Sequence, residues 1–173
     1  DGAATGGPTI IDTDLKISEV MSNPWPSNDS DSWPGGEWVE ILNTGSEIID
    51  LSGWYIEDNA GNEIYMDVTH LIDSDSSIPE SFHIAGGHTR IIATNGSSSS
   101  GILNNGAEQL HLKLPNGSIT HSVSWTSTLN GYSLSYDSIN QNMFYSSYPS
   151  LNATNPLPIE QLAPVPGDIR FTE

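Results

Sequence analysis

Short stretches in which apolar and polar residues alternate run through the middle of this chain, separated by glycine and asparagine turns. Alternation with a period of two is typical of half-buried β-strands, because successive side chains point to opposite faces. The spacing of three and four residues that marks an amphipathic helix is not sustained in any window. The pattern predicts nine strands, over residues 15–21, 37–42, 53–57, 63–67, 82–84, 89–93, 109–114, 119–125 and 132–136.

The clearest β-hairpin begins where Leu110, Leu112 and Leu114 alternate with polar residues. A second alternating arm follows the pair Asn116-Gly117, which accepts the positive φ angles of a tight turn. Each strand therefore has one apolar face, and such faces need a second sheet to cover them. The sequence predicts an all-β fold, an antiparallel β-sandwich of about nine strands.

The two ends of the chain differ in composition from its middle. Residues 1–14 are expected to form an extended N-terminal segment, and residues 146–173 a proline-rich C-terminal extension. The β-sandwich domain is predicted between them, over residues 15–145. An exposed sheet edge at residues 15–20 or at residues 132–136 could pair between molecules. The sequence leaves the oligomeric state open.

Charge and cysteine content exclude several classes of function. The chain has 22 acidic and 4 basic residues, a formal net charge of −18. Nucleic-acid binding is not expected, because it needs clustered Lys and Arg to neutralise phosphates. Cysteine is absent, which excludes disulfides, thiolate metal sites and a cysteine nucleophile. No apolar run approaches the roughly 18 residues of a membrane span.

Six strings in order carry a family resemblance: ISEVMSNP at 17–24, GEWVEILNTG at 36–45, IDLSGWYIED at 49–58, GGHTRIIATNG at 86–96, GAEQLHLKLPNGSITHSVSW at 106–125 and GYSLSYD at 131–137. Together they resemble the lamin tail domain. This is the module of nuclear lamins that also occurs in secreted and surface-attached proteins of prokaryotes. The resemblance implies an immunoglobulin-like fold without catalysis. Nuclear roles that depend on basic surface do not transfer to so acidic a chain.

Two loops rich in Asp and Ser are candidate calcium sites. The first contains Asp29 and Asp31, and the second contains Asp73 and Asp75. Calcium takes six to eight oxygen ligands, and Asp residues alternating with small residues can present carboxylates to one ion. Neither loop has the glycine and glutamate of a helix-loop-helix calcium site, and plain solvated loops are the alternative. Ca²⁺ is therefore a possible ligand, and no cofactor is required.

Aromatic residues in a loop suggest a second kind of site. Trp25 and Trp33 lie in a Pro/Ser/Asp-rich stretch outside the alternating pattern. Sugar-binding modules stack pyranose rings on such side chains. The alternative is that these rings extend the core over the end of the sandwich.

Four sequons of the form Asn-x-Ser/Thr fall in predicted loops and are glycan acceptor candidates. They begin at Asn28, Asn95, Asn116 and Asn152.

The residues give no positive indication of an enzyme. The chain has no Gly-x-Ser-x-Gly elbow that would present a nucleophilic serine. Glu40, a single carboxylate within a predicted strand, is expected to be a paired structural group rather than a catalytic acid. His111 and His121 lie on the two arms of the predicted hairpin, where they offer at most two ligands to a metal.

The function predicted from these observations is that of a non-catalytic module of a secreted or cell-surface protein. Its role would be adhesion, assembly or the positioning of neighbouring domains, with a protein or a polysaccharide at the cell surface as partner. The alternative is an accessory calcium- or carbohydrate-binding module attached to an extracellular hydrolase.

Overall fold

The computed structural model describes residues 11–28, 31–72, 81–95, 102–146 and 149–150. The regular structure in this part consists of β-strands, and all strand pairs are antiparallel. The all-β fold that the alternating pattern predicts is confirmed. Over these same residues, the chain contains no helix that is long and apolar enough to cross a membrane.

Twelve strands follow one another along the described part of the chain. The longest, β1 and β10, have seven residues each. The strands are β1 (Leu15–Met21), β2 (Trp38–Asn43), β3 (Ile49–Asp50), β4 (Tyr55–Asp58), β5 (Glu63–Tyr65), β6 (Leu71–Ile72), β7 (His83–Ile84), β8 (Thr89–Ala93), β9 (Glu108–Lys113), β10 (Ile119–Trp125), β11 (Ser133–Asp137) and β12 (Asn142–Ser146).

The strands form two main sheets and one small sheet. The six-stranded sheet has the order β12-β11-β1-β2-β8-β6, and the four-stranded sheet has the order β10-β9-β4-β5. Strands β3 and β7 pair separately. Strands far apart in the sequence are neighbours in both main sheets, as β1 and β11 or β4 and β9. This arrangement is an immunoglobulin-like β-sandwich.

A hydrophobic core fills the space between the two main sheets. Ile17, Ile41 and Ile92 contribute to it from the six-stranded sheet, and Ile56 and Leu112 from the four-stranded sheet; all five are fully buried. Burying one such side chain contributes roughly 1.5–3 kcal/mol. The alternating apolar positions of the sequence are therefore the inward positions of the strands.

The outer face of the six-stranded sheet carries a second apolar cluster. Met21, Trp38, Ile72, Ile91 and Ala93 are buried there together. They have the opposite parity to the core residues of the same strands, so they point away from the four-stranded sheet. Strands β1, β2 and β8 are consequently buried on both faces.

All nine predicted strands are present, and their boundaries differ from the predicted ones by at most two residues. The structure adds β3, β6 and β12. The first two have two residues each, too few to show a period. The third has the sequence NMFYS, whose three consecutive apolar residues interrupt the alternation. The prediction of about nine strands therefore missed three pairings that the tertiary fold determines.

The prediction of an exposed sheet edge at residues 15–20 or at residues 132–136 is wrong. Strand β1 lies between β11 and β2, and β11 lies between β12 and β1. Strand β12, which was not predicted, pairs with β11 along the side that was expected to be a free edge. The edges of the two main sheets are β12, β6, β10 and β5.

The predicted chain ends are described only in part. The N–H of Ile11 donates a 2.8 Å hydrogen bond to the carbonyl of Ile119, so the N-terminal segment lies against β10 at this point. The last strand ends at Ser146, one residue beyond the predicted end of the sandwich. Residues 1–10 and 151–173 lie outside the described residues.

Candidate functional site

Four large apolar side chains are exposed near one end of the sandwich. Trp25 is 72% exposed, Leu129 48%, Tyr145 42% and Tyr132 40%. Trp25 follows β1, and Leu129 and Tyr132 precede β11, which is the neighbour of β1. We call these four residues the Trp25 surface. Exposed aromatic side chains grouped in this way mark a contact site more often than isolated ones do.

A tight turn holds this surface together. The N–H of Tyr132 donates to the carbonyl of Leu129 at 3.0 Å, and the N–H of Gly131 donates to the carbonyl of Asn23 at 2.8 Å. Gly131 has a φ of +80°, and a Cβ at this position would lie 3.1 Å from Cβ of Trp25. Because glycine has no side chain, the turn can approach Trp25 this closely.

Hydrogen-bonding groups border the exposed rings. The side-chain amide of Asn130 donates to Oδ1 of Asn23 at 2.7 Å. The hydroxyl of Tyr145 donates to the carbonyl of Ser127 at 2.7 Å. Aromatic faces beside amide and hydroxyl groups suit a ligand that has both apolar faces and hydroxyl groups, such as a sugar.

Trp33, the other predicted stacking residue, lies in a different environment. Its ring packs edge-on against Trp38, with 6.2 Å between the ring centroids and 78° between the planes. It is partly buried against the cluster on the outer face of the six-stranded sheet. Trp25 is exposed, whereas Trp33 extends the apolar cluster, which is the alternative that the sequence left open for these rings. Sugar stacking on Trp25 or Trp33 stays a prediction.

The structure describes only one of the four candidate calcium ligands. Oδ2 of Asp31 accepts a 2.9 Å hydrogen bond from the N–H of Asn28. The other candidates, Asp29, Asp73 and Asp75, lie outside the described residues. The calcium hypothesis for these loops stays a prediction.

The glycan acceptor candidates differ in exposure and in the hydrogen bonds that their side-chain amides form. Asn116 is exposed at the tip of the β9–β10 hairpin. Asn95 is half-buried: its Oδ1 accepts from the N–H of Trp33 at 2.8 Å, and its amide nitrogen donates to the carbonyl of Thr69. Asn28 is exposed, and Asn152 lies outside the described residues.

The two hairpin histidines do not face each other. His111 is paired with Ser122, whereas His121 is paired with Leu112, so the two rings lie on opposite faces of the sheet. A register shift between Ile119 and His121 accompanies this placement. Among the described residues, no group of three or more His, Asp or Glu side chains is arranged to hold a metal ion.

Two buried glutamates form a feature that the sequence did not reveal. Glu19 of β1 and Glu40 of β2 are directly paired in the ladder, and both are 0% exposed. Directly opposite residues of an antiparallel pair point to the same face. Ser18 is an extra residue in β1 at this point, and its hydroxyl donates to Oε1 of Glu40 at 2.7 Å. Strict alternation would put Glu19 on the same face as Ile17. The β-bulge at Ser18 puts it on the face of Glu40 instead.

The carboxyl group of Glu19 accepts hydrogen bonds from Ser133 and from Ser150. The hydroxyl of Ser133 donates to Oε1, and the N–H and the hydroxyl of Ser150 each donate to Oε2 at 3.0 Å. Burial raises the pKa of Glu19, and these hydrogen bonds oppose that effect. Glu40, which looks like a single carboxylate in the sequence, lies directly opposite a second buried carboxyl group.

The comparison with protein families decides the classification. The family model described as Lamin Tail Domain matches residues 12–127, which is about two thirds of the chain. The chain belongs to the lamin tail domain family. The matched range includes β1 to β10, whereas β11 and β12 of this lamin tail domain lie beyond it. No curated protein and no solved structure matches the chain significantly.

The Trp25 surface lies partly inside and partly outside the family match. Trp25 falls within the matched residues, whereas Leu129, Tyr132 and Tyr145 follow residue 127. Glu19 and Glu40 both lie within the matched residues, in the strings ISEV and WVEI. Lamin tail domains are immunoglobulin-like modules without catalytic activity of their own. Individual function in such a fold resides in surfaces and loops.

Proposed function

We propose that this lamin tail domain is a non-catalytic module of a secreted or cell-surface protein from a prokaryote. It contributes to adhesion, assembly or domain positioning by binding a partner through the Trp25 surface. The observation that carries the proposal is the 72% exposure of Trp25 beside three further exposed apolar side chains. Aromatic anchors of this kind supply much of the free energy at binding surfaces.

The charge of the domain restricts the partner. With a net charge of −18, the chain repels anionic surfaces such as nucleic acids and acidic membranes. Screening by salt shortens the reach of this repulsion to about 8 Å in physiological buffer. A neutral or cationic partner, protein or polysaccharide, is therefore favoured.

A second candidate function is that of an accessory carbohydrate-binding module attached to an extracellular hydrolase. The amides of Asn23 and Asn130 favour it, because they lie beside the exposed turn next to Trp25. Amide groups next to an aromatic face are the combination that orients a sugar ring. The calcium form of this alternative depends on the two loops that contain Asp29 and Asp31, and Asp73 and Asp75. Calorimetric titration of the metal-free chain with Ca²⁺ tests it, and the absence of both heat and a thermal shift would contradict it.

Binding of the full chain to two sets of surfaces tests the proposal. One set consists of insoluble neutral polysaccharides together with a glycan array, and the other of immobilised extracellular matrix and envelope proteins. Retention on the proteins supports adhesion or assembly, and retention on the polysaccharides supports the accessory module. Retention on neither set, or turnover of a substrate by the isolated chain, contradicts the proposal.

A further inference from the structure

Four Asn-Gly pairs occur in the chain, beginning at Asn95, Asn105, Asn116 and Asn130. An asparagine before a glycine is prone to cyclise, because the glycine has no side chain that keeps its nitrogen away from the asparagine Cγ. The glycine that follows Asn95 lies outside the described residues. For the other three pairs, the structure shows whether the glycine nitrogen is available for this reaction.

Two of these three glycine nitrogens are held in turns. The N–H of Gly117 donates to the carbonyl of Leu114 at 2.9 Å, and the N–H of Gly131 donates to the carbonyl of Asn23 at 2.8 Å. The nitrogen can attack Cγ only after it has lost its proton, so each of these hydrogen bonds must first break. The two turns therefore protect the asparagines that precede these glycines.

The third glycine nitrogen, that of Gly106, is accessible. Its N–H donates no hydrogen bond within the part of the chain that the structure describes, and both Asn105 and Gly106 are exposed. The φ of Gly106 lies outside the left-handed region, and no heavy atom lies within 4 Å of the position that a Cβ would take. Water and hydroxide can therefore reach this nitrogen, and no turn hydrogen bond has to break before it attacks.

Thr128 holds the carbonyl group that would be attacked. Its hydroxyl donates to Oδ1 of Asn105 at 3.1 Å and to the main-chain carbonyl of Asn105 at 3.2 Å. The N–H of Thr128 donates to the same main-chain carbonyl at 3.0 Å. A donor on Oδ1 stabilises the negative charge that develops on this oxygen while Cγ is attacked. The contact with Thr128 therefore assists reaction at Asn105.

We propose that Asn105 is a site of spontaneous modification, at which a succinimide forms and the side-chain amide is lost. The nitrogen of Gly106 gives up its proton and forms a bond to Cγ of Asn105. The bond from Cγ to the side-chain nitrogen breaks, and this nitrogen takes up the proton and leaves as ammonia. Water then opens the five-membered ring at one of its two carbonyls, which gives Asp or isoaspartate. The reaction does not depend on the proposed function.

The modified residue would lie beside the Trp25 surface. Thr128, which contacts Asn105, directly precedes Leu129 of that surface. Opening of the ring to Asp adds one negative charge at this position. Opening to isoaspartate also adds one carbon to the main chain, next to the carbonyl that accepts from the N–H of Thr128. The modification therefore changes both charge and backbone next to the exposed apolar side chains.

Peptide mass spectrometry of the full chain, incubated at mildly alkaline pH, measures the loss of the amide at each asparagine. In the folded chain, Asn105 should lose its amide at least about fivefold faster than Asn116 and Asn130, because no turn hydrogen bond has to break. In urea this difference should largely disappear, because all three glycine nitrogens are then free. Labelling by an isoaspartate methyltransferase should detect isoaspartate at position 105, whereas direct hydrolysis of the amide gives only Asp.

Gly106→Ala is the matched variant, because the structure leaves open space for the added Cβ, so the Tm should not change. The methyl group hinders the approach of the nitrogen, so loss of the amide at Asn105 should slow at least about fivefold, with the rate at Asn116 unchanged. Thr128→Val should also slow the reaction at Asn105, about fivefold, because it removes the donor to Oδ1. Thr128→Ser keeps the hydroxyl and should retain the wild-type rate.

Three results would overturn the proposal. The first is loss of the amide in the folded chain that is as fast at Asn116 or Asn130 as at Asn105. The second is a product at position 105 that contains Asp without isoaspartate. The third is an unchanged rate at Asn105 in Gly106→Ala. A faster reaction in Thr128→Val than in Thr128→Ser would show that the contact with Thr128 protects Asn105, and would contradict the role assigned to this hydroxyl.

Discussion

The backbone N–H of Ile17 in β1 donates a 3.1 Å hydrogen bond to Nδ1 of His121 in β10, so a polar contact joins the two main sheets. The imidazole also meets Tyr136 edge-to-face, with 4.7 Å between the ring centroids. Because Nδ1 accepts a hydrogen bond, the folded state holds the ring in its neutral form. Burial, reinforced by the nearby charge of Lys16 and opposed by Asp12, lowers the pKa of His121 to about 4.

Acid should therefore destabilise the domain through His121. In the unfolded chain the pKa returns to 6.5, so between pH 6.5 and about 4 the unfolded state binds a proton that the folded state does not. The contribution to stability is complete above the unfolded pKa and is lost as the pH falls towards the folded pKa. This contribution of His121 to the free energy of unfolding amounts to about 3 kcal/mol.

Urea unfolding at a series of pH values, for wild type and His121→Asn, measures this contribution. The asparagine keeps an acceptor near Nδ1 but does not titrate. Burial also lowers the pKa of His111, and the pKa of Glu19 is raised and has the opposite effect, so only the difference between the two proteins isolates His121. Identical pH profiles for wild type and His121→Asn would refute the assignment.

Gly131→Ala should destabilise the turn beneath the Trp25 surface. The new Cβ would combine a φ of +80° with a 3.1 Å approach to Cβ of Trp25. Gly61→Ala is the control, because Gly61 has a φ of +83° but no heavy atom within 4 Å of the added Cβ. Both changes should cost about 1 kcal/mol for the backbone, and Gly131→Ala about 1 kcal/mol more for the contact. Equal losses in urea unfolding would show that the turn does not press on Trp25.

The two loop tryptophans should differ in their effect on stability. Trp33→Ala removes an edge-on contact with Trp38 and should cost about 2 kcal/mol. Trp25→Ala removes a ring that is 72% exposed and should change the free energy of unfolding by less than about 0.5 kcal/mol. Chemical denaturation of both variants checks this. A larger loss for Trp25→Ala would mean that its ring is structural.

Expression in a host that performs N-glycosylation should modify Asn116 and not Asn95. Asn116 is exposed at a hairpin tip, whereas the amide nitrogen of Asn95 donates to Thr69 and its Oδ1 accepts from Trp33. A glycan on Asn95 would replace one of the two hydrogens of the amide nitrogen that donates to Thr69, at a half-buried position. Mass spectrometry of glycopeptides measures the occupancy at both sites. Higher occupancy at Asn95 than at Asn116 would contradict the structure around Thr69.

Most of the strands could be predicted from the sequence, because the alternation of apolar and polar residues is a local pattern. Strands such as β8 and β10 begin and end at the predicted residues. The turn at Asn116-Gly117 was also predictable, since it depends on two adjacent residues; Gly117 has a φ of +84°. Strands β3 and β6 were not predictable, because two-residue bridges depend on the partner strand alone.

The candidate sites were predictable only in part. Trp25 and Trp33 have similar sequence surroundings, and only the three-dimensional fold separates the exposed indole from the partly buried one. The pairing of Glu19 with Glu40 required the bulge at Ser18, which no local pattern announces. The one indication in the sequence was that each of two apolar strands contains a glutamate. Charged residues are rarely buried unless they are paired, so such glutamates can be expected to have specific partners.

Partner binding by Trp25→Ala, with Tyr65→Ala as the control, is the sharpest test of the role of the Trp25 surface. Tyr65 is 47% exposed and lies on the edge strand of the four-stranded sheet, outside the Trp25 surface. For the polysaccharide or protein that retains the wild-type chain, loss of the Trp25 ring should weaken binding at least about tenfold, and loss of the Tyr65 ring less than about twofold. Unchanged affinity for Trp25→Ala, or an equal loss for both variants, would contradict the claim that this lamin tail domain binds through the Trp25 surface.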